Sequence, residues 1–202
     1  MNAAGRTPAG SRRLISIGLW WASYIFLLTG VLAASYAGYV LAEGQAYQAI
    51  ELRKFKDRAP LAEPHLRTIG EVVGQMEIPS VGVRAIILQG DSSAVLRRGV
   101  GHLPETPMPG EWGNVALAGH RDTFFRSLRQ IRTGDVITLE TSSGSYRYRV
   151  EATYVVPPTD MEVLRPSNRR ELTLITCFPF DYVGPAPERF IVRAREDGAS
   201  PE

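Results

Sequence analysis

The chain has 202 residues, 44% of them hydrophobic, with 23 Lys and Arg against 21 Asp and Glu and a single cysteine. That length holds one domain with a full core plus an appendage. The formal net charge of +2 says nothing about nucleic acid, but no long basic stripe with interleaved aromatics appears, so no nucleic-acid partner is expected, and one cysteine excludes an intramolecular disulfide.

From Leu14 to Ala42 no residue is charged, and about 20 apolar residues suffice to cross a bilayer. Arg6, Arg12 and Arg13 precede this run with no acid among them. Behind it, Glu43, Glu51 and Asp57 offset Arg53, Lys54, Lys56 and Arg58. The basic excess on the N-terminal side predicts a cytoplasmic N-terminus, with the rest of the chain outside. Trp20 and Trp21 miss the interface if the helix starts at Leu14, which leaves the register open. A cleaved signal peptide competes, with Ser35-Tyr36-Ala37 as the cut, but a signal's apolar core usually runs only about 7–15 residues. In both cases the remainder is extracytoplasmic, where a lone thiol calls for an explanation. The expected division is a cytoplasmic tail 1–13, an anchor 14–42, a stalk 43–70, a β-rich domain 71–197 and a disordered tail 198–202. The stalk reads as a helix ended by Pro60 and Pro64, a solvated linker without chemistry, with His65 exposed.

From Glu71 onward the signals turn to β. Val72-Val73 with Met76 to Ile78 predicts one strand and Val83 to Leu88 a second. Asp91 is placed to cap a helical turn over Ser92 to Arg97, stopped at Gly99. Asn114 to His120 is a short apolar strand ending in a histidine, and Phe124, Phe125 and Leu128 form one face of a helical turn after it. Asp135 to Leu139, a turn at Ser142-Ser143-Gly144, and alternating Tyr146, Tyr148 and Val150 predict a hairpin with one wet face. Thr159-Asp160-Met161-Glu162 has a capping-box pattern for a short helix through Leu164, ended by Pro166. Leu172 to Thr176 and Phe190 to Val192 complete the strands. Seven or eight short strands with two or three helical turns make an all-β barrel or sandwich.

Cys177 ends the Leu172–Thr176 run, and Arg189 opens the strand after a loop broken by Pro179, Gly184, Pro185 and Pro187. If the two strands pair, thiol and guanidinium stand at one rim of the sheet. His120 holds a matching strand-end position, with Gly119 before it permitting a close approach. The bland alternative makes Cys177 a small buried hydrophobe. A strand-end thiol with an arginine and a histidine in matching positions instead suggests a nucleophile, because the thiolate attacks and an imidazolium stabilises it. Arg189, Arg193 and Arg195 share one face, and their bland reading is three solvated charges. No Cys/His cluster or dense carboxylate set predicts a metal or other cofactor.

Asn-Val-Ala-Leu-Ala-Gly-His-Arg-Asp-Thr-Phe-Phe at 114–125 and Thr-Leu-Ile-Thr-Cys-Phe-Pro-Phe-Asp-Tyr-Val-Gly-Pro-Ala-Pro-Glu-Arg-Phe-Ile-Val at 173–192 resemble the sortases, most of all the class D type. The resemblance spans about residues 71 to 195. It implies a closed eight-stranded barrel with short helices behind an N-terminal transmembrane helix, and a membrane-anchored cysteine transpeptidase. It maps the catalytic set to His120, Cys177 and Arg189. The implied substrates are surface proteins carrying a Leu-Pro-x-Thr-Gly-like sorting signal, and the acceptor is an amine on a cell-wall precursor or a pilin. Met161, Val163, Leu164 and Tyr182 are candidates for the peptide's apolar pocket. Thr176 precedes the nucleophile as in the family, and His102 matches a family position near the site. Leu103-Pro104-Glu105-Thr106-Pro107 looks like a sorting signal itself, but a proline replaces the glycine, and a stiff loop is the expectation. Three alternatives remain: a cysteine hydrolase, an L,D-transpeptidase (whose Ser-His-Gly-Cys type of signature is absent) and a non-enzymatic tethered barrel.

Overall fold

The computed structural model describes residues 9–57 and 68–198; Pro60, Pro64, His65 and the two chain ends lie outside the described residues. The chain divides into two compact units, 1–43 and 44–202. A single helix, α1 (Ala9–Asp57), crosses that boundary. Within the first unit, the 20 residues Trp20–Tyr39 are long and apolar enough to cross a membrane, and none is buried. At 1.5 Å per residue they extend about 30 Å. Trp20, Trp21 and Tyr24 stand near one end of this span and Tyr36 and Tyr39 at the other, the placement favoured for interfacial aromatics.

In the second unit the end of α1 packs on the barrel, contrary to the expected solvated linker. Tyr47 and Leu52 lie against Ile86, Leu88 and Val95. The side chain of Gln48 accepts the Ile86 N–H at 2.8 Å and donates to the Arg98 carbonyl. Ile86 is in β2 (Val83–Gln89), whose pairing with β3 (Val100–His102) begins only at Ile87. The Gln48 amide therefore takes the partner's place where the ladder has not yet formed, and a buried N–H escapes being orphaned.

Six further strands complete a closed barrel: β1 (Val72–Ile78), β4 (Gly113–Ala118), β5 (Val136–Thr141), β6 (Gly144–Val156), β7 (Arg170–Phe178) and β8 (Glu188–Glu196). The order around the barrel is β1-β2-β3-β4-β7-β8-β6-β5. Closure leaves no edge strand to pair with another chain. Most neighbours are antiparallel, but β2–β3 and β4–β7 are parallel. The β5–β6 hairpin pairs Thr141 with Gly144 around Ser142-Ser143, and Tyr148 and Val150 are buried while Arg147 and Arg149 are exposed. The interior is filled by alternate residues of each strand, among them Leu117, Leu139, Leu172, Leu174 and Val192.

Two local expectations are corrected, and one strand, β3, was not foreseen. β3 carries too few residues to show a period, and its existence follows from pairing on both sides. The turn after β2 is α2 (Ser93–Leu96), and its cap is Ser92, whose side chain accepts the Val95 N–H, rather than Asp91. The capping box at Thr159 does not form: Glu162–Leu164 is a 3-10 turn whose Glu162 N–H is accepted by Asp160 at 2.9 Å. The stretch Leu103–Pro107 is built into the fold. Its Thr106 Oγ1 donates to the Leu103 carbonyl and accepts the Ala116 N–H.

Candidate active site

Cys177 and Arg189 are direct cross-strand partners on β7 and β8, which places their Cβ atoms about 4.5–5.5 Å apart. On its other side β7 pairs in parallel with β4, Ala118 against Ile175. The Gly119 N–H, on the Ile175 carbonyl, carries that pairing one residue past the strand, and His120 comes next. Strands in a sheet lie about 4.7–4.9 Å apart, so Cys177 and Arg189 stand side by side at one rim, in a row that His120 approaches from the end of β4. Leu172 and Leu174 on β7, Val115 and Leu117 on β4, and Val192 and Ala194 on β8 belong to the interior. By alternation, Cys177 and Arg189 face outward, and His120 follows just past the end of β4. Each is half-buried.

The histidine's position is set by its backbone. The Gly119 N–H continues the ladder to the Ile175 carbonyl at 3.1 Å, and the Phe125 N–H donates to the His120 carbonyl at 3.0 Å. Thr176, inward and 2% exposed, donates its hydroxyl to the Gly119 carbonyl at 2.7 Å. A Cβ at Gly119 would stand 2.7 Å from the Phe125 ring, so only glycine admits this turn. Arg189 donates from Nη1 to the carbonyls of Ala186 at 3.3 Å and Glu188 at 2.9 Å. Its Nε and Nη2 make no hydrogen bond among the described residues. Behind the row, Phe178, Phe180 and Phe190 cluster with ring centroids 5.2–6.2 Å apart, one pair stacked and two edge-on, and Phe180 and Phe190 pack on the core. Sequence reading missed this aromatic floor, whose one signal is three phenylalanines bracketing the cysteine loop.

The segment 157–169 between β6 and β7 crosses the outer face below the row. Asn114, 1% exposed, donates to the Val163 carbonyl at 2.9 Å and accepts the Thr173 hydroxyl at 2.6 Å. Arg193 donates to the same Val163 carbonyl at 3.2 Å, to the Tyr154 hydroxyl at 3.3 Å and to Glu171 at 3.4 Å. Asn114 and Arg193 were not expected in this role, and the solvated reading of Arg193 is overturned. Arg195 is more exposed and pairs with Glu151 at 2.5 Å.

The remaining candidates separate by burial. Met161 and Tyr182 are exposed and Leu164 is half-buried, so they stand where a peptide can meet them. Val163 is 6% exposed, and it anchors its loop. His102 is 1% exposed, with Nδ1 3.0 Å from Gln89 Oε1 and Nε2 2.9 Å from the Pro107 carbonyl. Both its ring nitrogens are engaged inside the fold, which fits holding the β3–β4 connection rather than handling substrate.

A family model for the sortase domain matches residues 76–197. The chain belongs to the sortase family. It is 37% identical to sortase D of Bacillus subtilis over 124 residues, 61% of this chain and 63% of that protein, so it spans less than two thirds of that relative's length. It is 29% identical to sortase A of Bacillus anthracis over 175 residues, 76% of this chain and 83% of the relative. Among solved structures, a sortase D-type transpeptidase of Clostridium perfringens superposes with a TM-score of 0.60 at 27% identity. That match covers 79% of this chain and 97% of the other. The relatives thus include the class D type to which the two motifs pointed, and their fold is the closed barrel seen here.

Proposed function

We propose that this sortase is a membrane-anchored cysteine transpeptidase, and that the row His120–Cys177–Arg189 is its catalytic centre. What supports this is the pairing: Cys177 lies directly across from Arg189 on antiparallel β7–β8, and the parallel β4–β7 pairing runs up to Ala118, two residues before His120. The Cys177 thiolate attacks the threonine carbonyl of a Leu-Pro-x-Thr-Gly-like sorting signal, and the carbonyl oxygen takes the charge. Arg189, always cationic, donates to that oxyanion. The C–N bond then breaks as imidazolium His120 gives its proton to the leaving glycine nitrogen, leaving a thioester on Cys177. An incoming amine attacks the thioester, His120 takes its proton, and the thiolate departs.

Exposed Met161 and Tyr182, with Leu164, lie on the β6–β7 and β7–β8 segments, and they supply the apolar contacts for the signal's leucine and proline. Thr176 supports the site from below through the Gly119 carbonyl. The span Trp20–Tyr39 anchors the protein, and the arginine-rich N-terminal flank keeps that end cytoplasmic, so the barrel works outside. The acceptor is an amine on a cell-wall precursor or a pilin.

The test is to incubate the full chain, in detergent, with a peptide of the sorting-signal type, with and without an added oligoglycine. The expected product is the new amide, with a mass adduct on Cys177 while the thioester accumulates. Free acid at the same rate in both arms would make the protein a hydrolase. Cys177→Ala should remove both activities, a loss of at least about 10³–10⁴-fold, and unchanged turnover in that variant would defeat the proposal.

A further inference from the structure

Arg121, the residue after His120, does not point away from the site. Its Nη2 donates to the carbonyls of Tyr182 at 2.6 Å and Gly184 at 3.0 Å, and its guanidinium lies over the Tyr182 ring, 5.8 Å from the centroid. One planar cation thus holds two carbonyls and a ring of the β7–β8 loop. That loop runs from the Cys177 strand to the Arg189 strand, and Arg121 belongs to the turn that carries His120. Phe180 holds the start of the loop on the core and Arg189 holds its end through the Ala186 carbonyl, but the tip between them has little else. The Tyr182 N–H donates to Pro179 at 3.3 Å, Gly184 sits at φ 104°, and Val183 is 95% exposed. A second tie comes from Arg129, but it is a single 3.4 Å ion pair to an Asp181 carboxylate that is 84% exposed.

Arg121 Nη1 is buried and has no hydrogen-bond partner among the described residues. Buried donors are normally paired, and one left unpaired is costly. As a device for stability the arrangement is therefore poor. As a device for geometry it is apt, because the planar guanidinium keeps Nη2 on both carbonyls while its face lies over the Tyr182 ring, a combination that an ammonium on a flexible stem holds less rigidly.

We propose that Arg121 is a positioning residue: it ties the β7–β8 loop to the His120 turn and so sets the gap between imidazole and thiol that peptide and amine must enter. This rests on the transpeptidase reading of the site. A loop displaced by about an ångström can cost on the order of a hundredfold in rate without touching the chemistry.

The experiment uses the full chain in detergent with Arg121→Lys, Arg121→Ala and Arg129→Ala. Two quantities are read: the rate of chymotryptic cleavage after Tyr182, which needs no substrate, and kcat with KM for peptide and amine. Both Arg121 variants should be cut faster after Tyr182 and lose at least about tenfold in kcat, while the barrel's Tm stays within a few degrees of the parent's. Millimolar guanidinium should partly restore Arg121→Ala, and ammonium should not. Arg129→Ala should stay within about twofold of the parent. The proposal is overturned by unchanged cleavage, by kcat within about twofold of the parent, or by a kcat loss that only follows a falling Tm. If the parent protein shows no transpeptidation, the function reading is what fails. The clamp is then judged by Tyr182 cleavage and by the rate of Cys177 alkylation with iodoacetamide, and rates equal to the parent's in Arg121→Lys would overturn it.

Discussion

Arg189 and Arg193 stand four residues apart on β8, face the same way, and each pairs across to β7 with a small polar residue, Cys177 and Thr173 respectively. Their surroundings differ. Arg193 is enclosed by the β6–β7 segment and spends its guanidinium on Val163, Tyr154 and Glu171. Arg189, at the rim, touches only two carbonyls at its own end of the β7–β8 loop. Strand position and residue type are the same, so neither assigns the role. What separates a structural arginine from one available to a ligand is which connection happens to cross above it. A third station, further along the strand, carries Glu196 opposite Tyr148. There the buried phenol has no regular hydrogen bond.

Substitutions along this strand test the contrast, and the largest effect belongs to the rim. Arg189→Lys keeps the charge and loses the fork. Its kcat should fall roughly 100- to 1000-fold, equivalent to about 2.7–4 kcal/mol of transition-state stabilisation, while urea denaturation stays as in the parent. Arg193→Lys should show the reverse. A lysine nitrogen is a single point where two guanidinium nitrogens now divide the three acceptors, so stability should drop by about 1–3 kcal/mol, with KM rising as the β6–β7 segment loosens and kcat little changed. Matching, mild kinetic losses from both substitutions would erase the distinction and return Arg189 to the surface.

The smallest effect, and of opposite sign, lies at Tyr148. Burial first, then the Glu196 carboxylate, pushes its phenol well above the usual tyrosine range, and the nearby Gly110 amide offsets only part of this. The unfolded chain loses that proton near pH 10, while the folded protein still holds it. The folded state therefore binds more protons in that window, and its stability falls as pH rises past about 10. Tyr148→Phe removes an unpaired buried hydroxyl and should be neutral to about 1 kcal/mol stabilising at pH 7. Its advantage should widen by pH 11 in parallel denaturation curves. An advantage that shrinks with rising pH would contradict this account.

Much of the barrel was legible because alternation and turn chemistry are local. The β5–β6 hairpin, the strand before Cys177 and the buried pair Phe125 and Leu128 all follow from spacing alone. β3 was not, because three residues show no period and its place depends on neighbours far along the chain. The Gln48 contact was hidden for a related reason: a glutamine in a polar helical stretch looks solvated until a barrel offers it an unpaired N–H. Arg121 was visible in the histidine motif, but nothing local says that its fork meets the carbonyls of Tyr182 and Gly184, some sixty residues on.

By itself the amino-acid sequence determined the apolar span, the strand-rich domain and the three residue types at strand ends, since each depends on contacts within a few residues. Only the tertiary structure decided that β4 lies parallel to β7, with Ala118 against Ile175, two residues before His120 and Cys177. It also decided that Arg193 is covered while Arg189 is not, and that His102 and Val163 are held inside the fold while Met161 and Tyr182 face outward. The physical reason is the same in each case. A residue's type and period fix which way it faces on its own strand, but its partners come from pairings and crossings of segments distant in the chain.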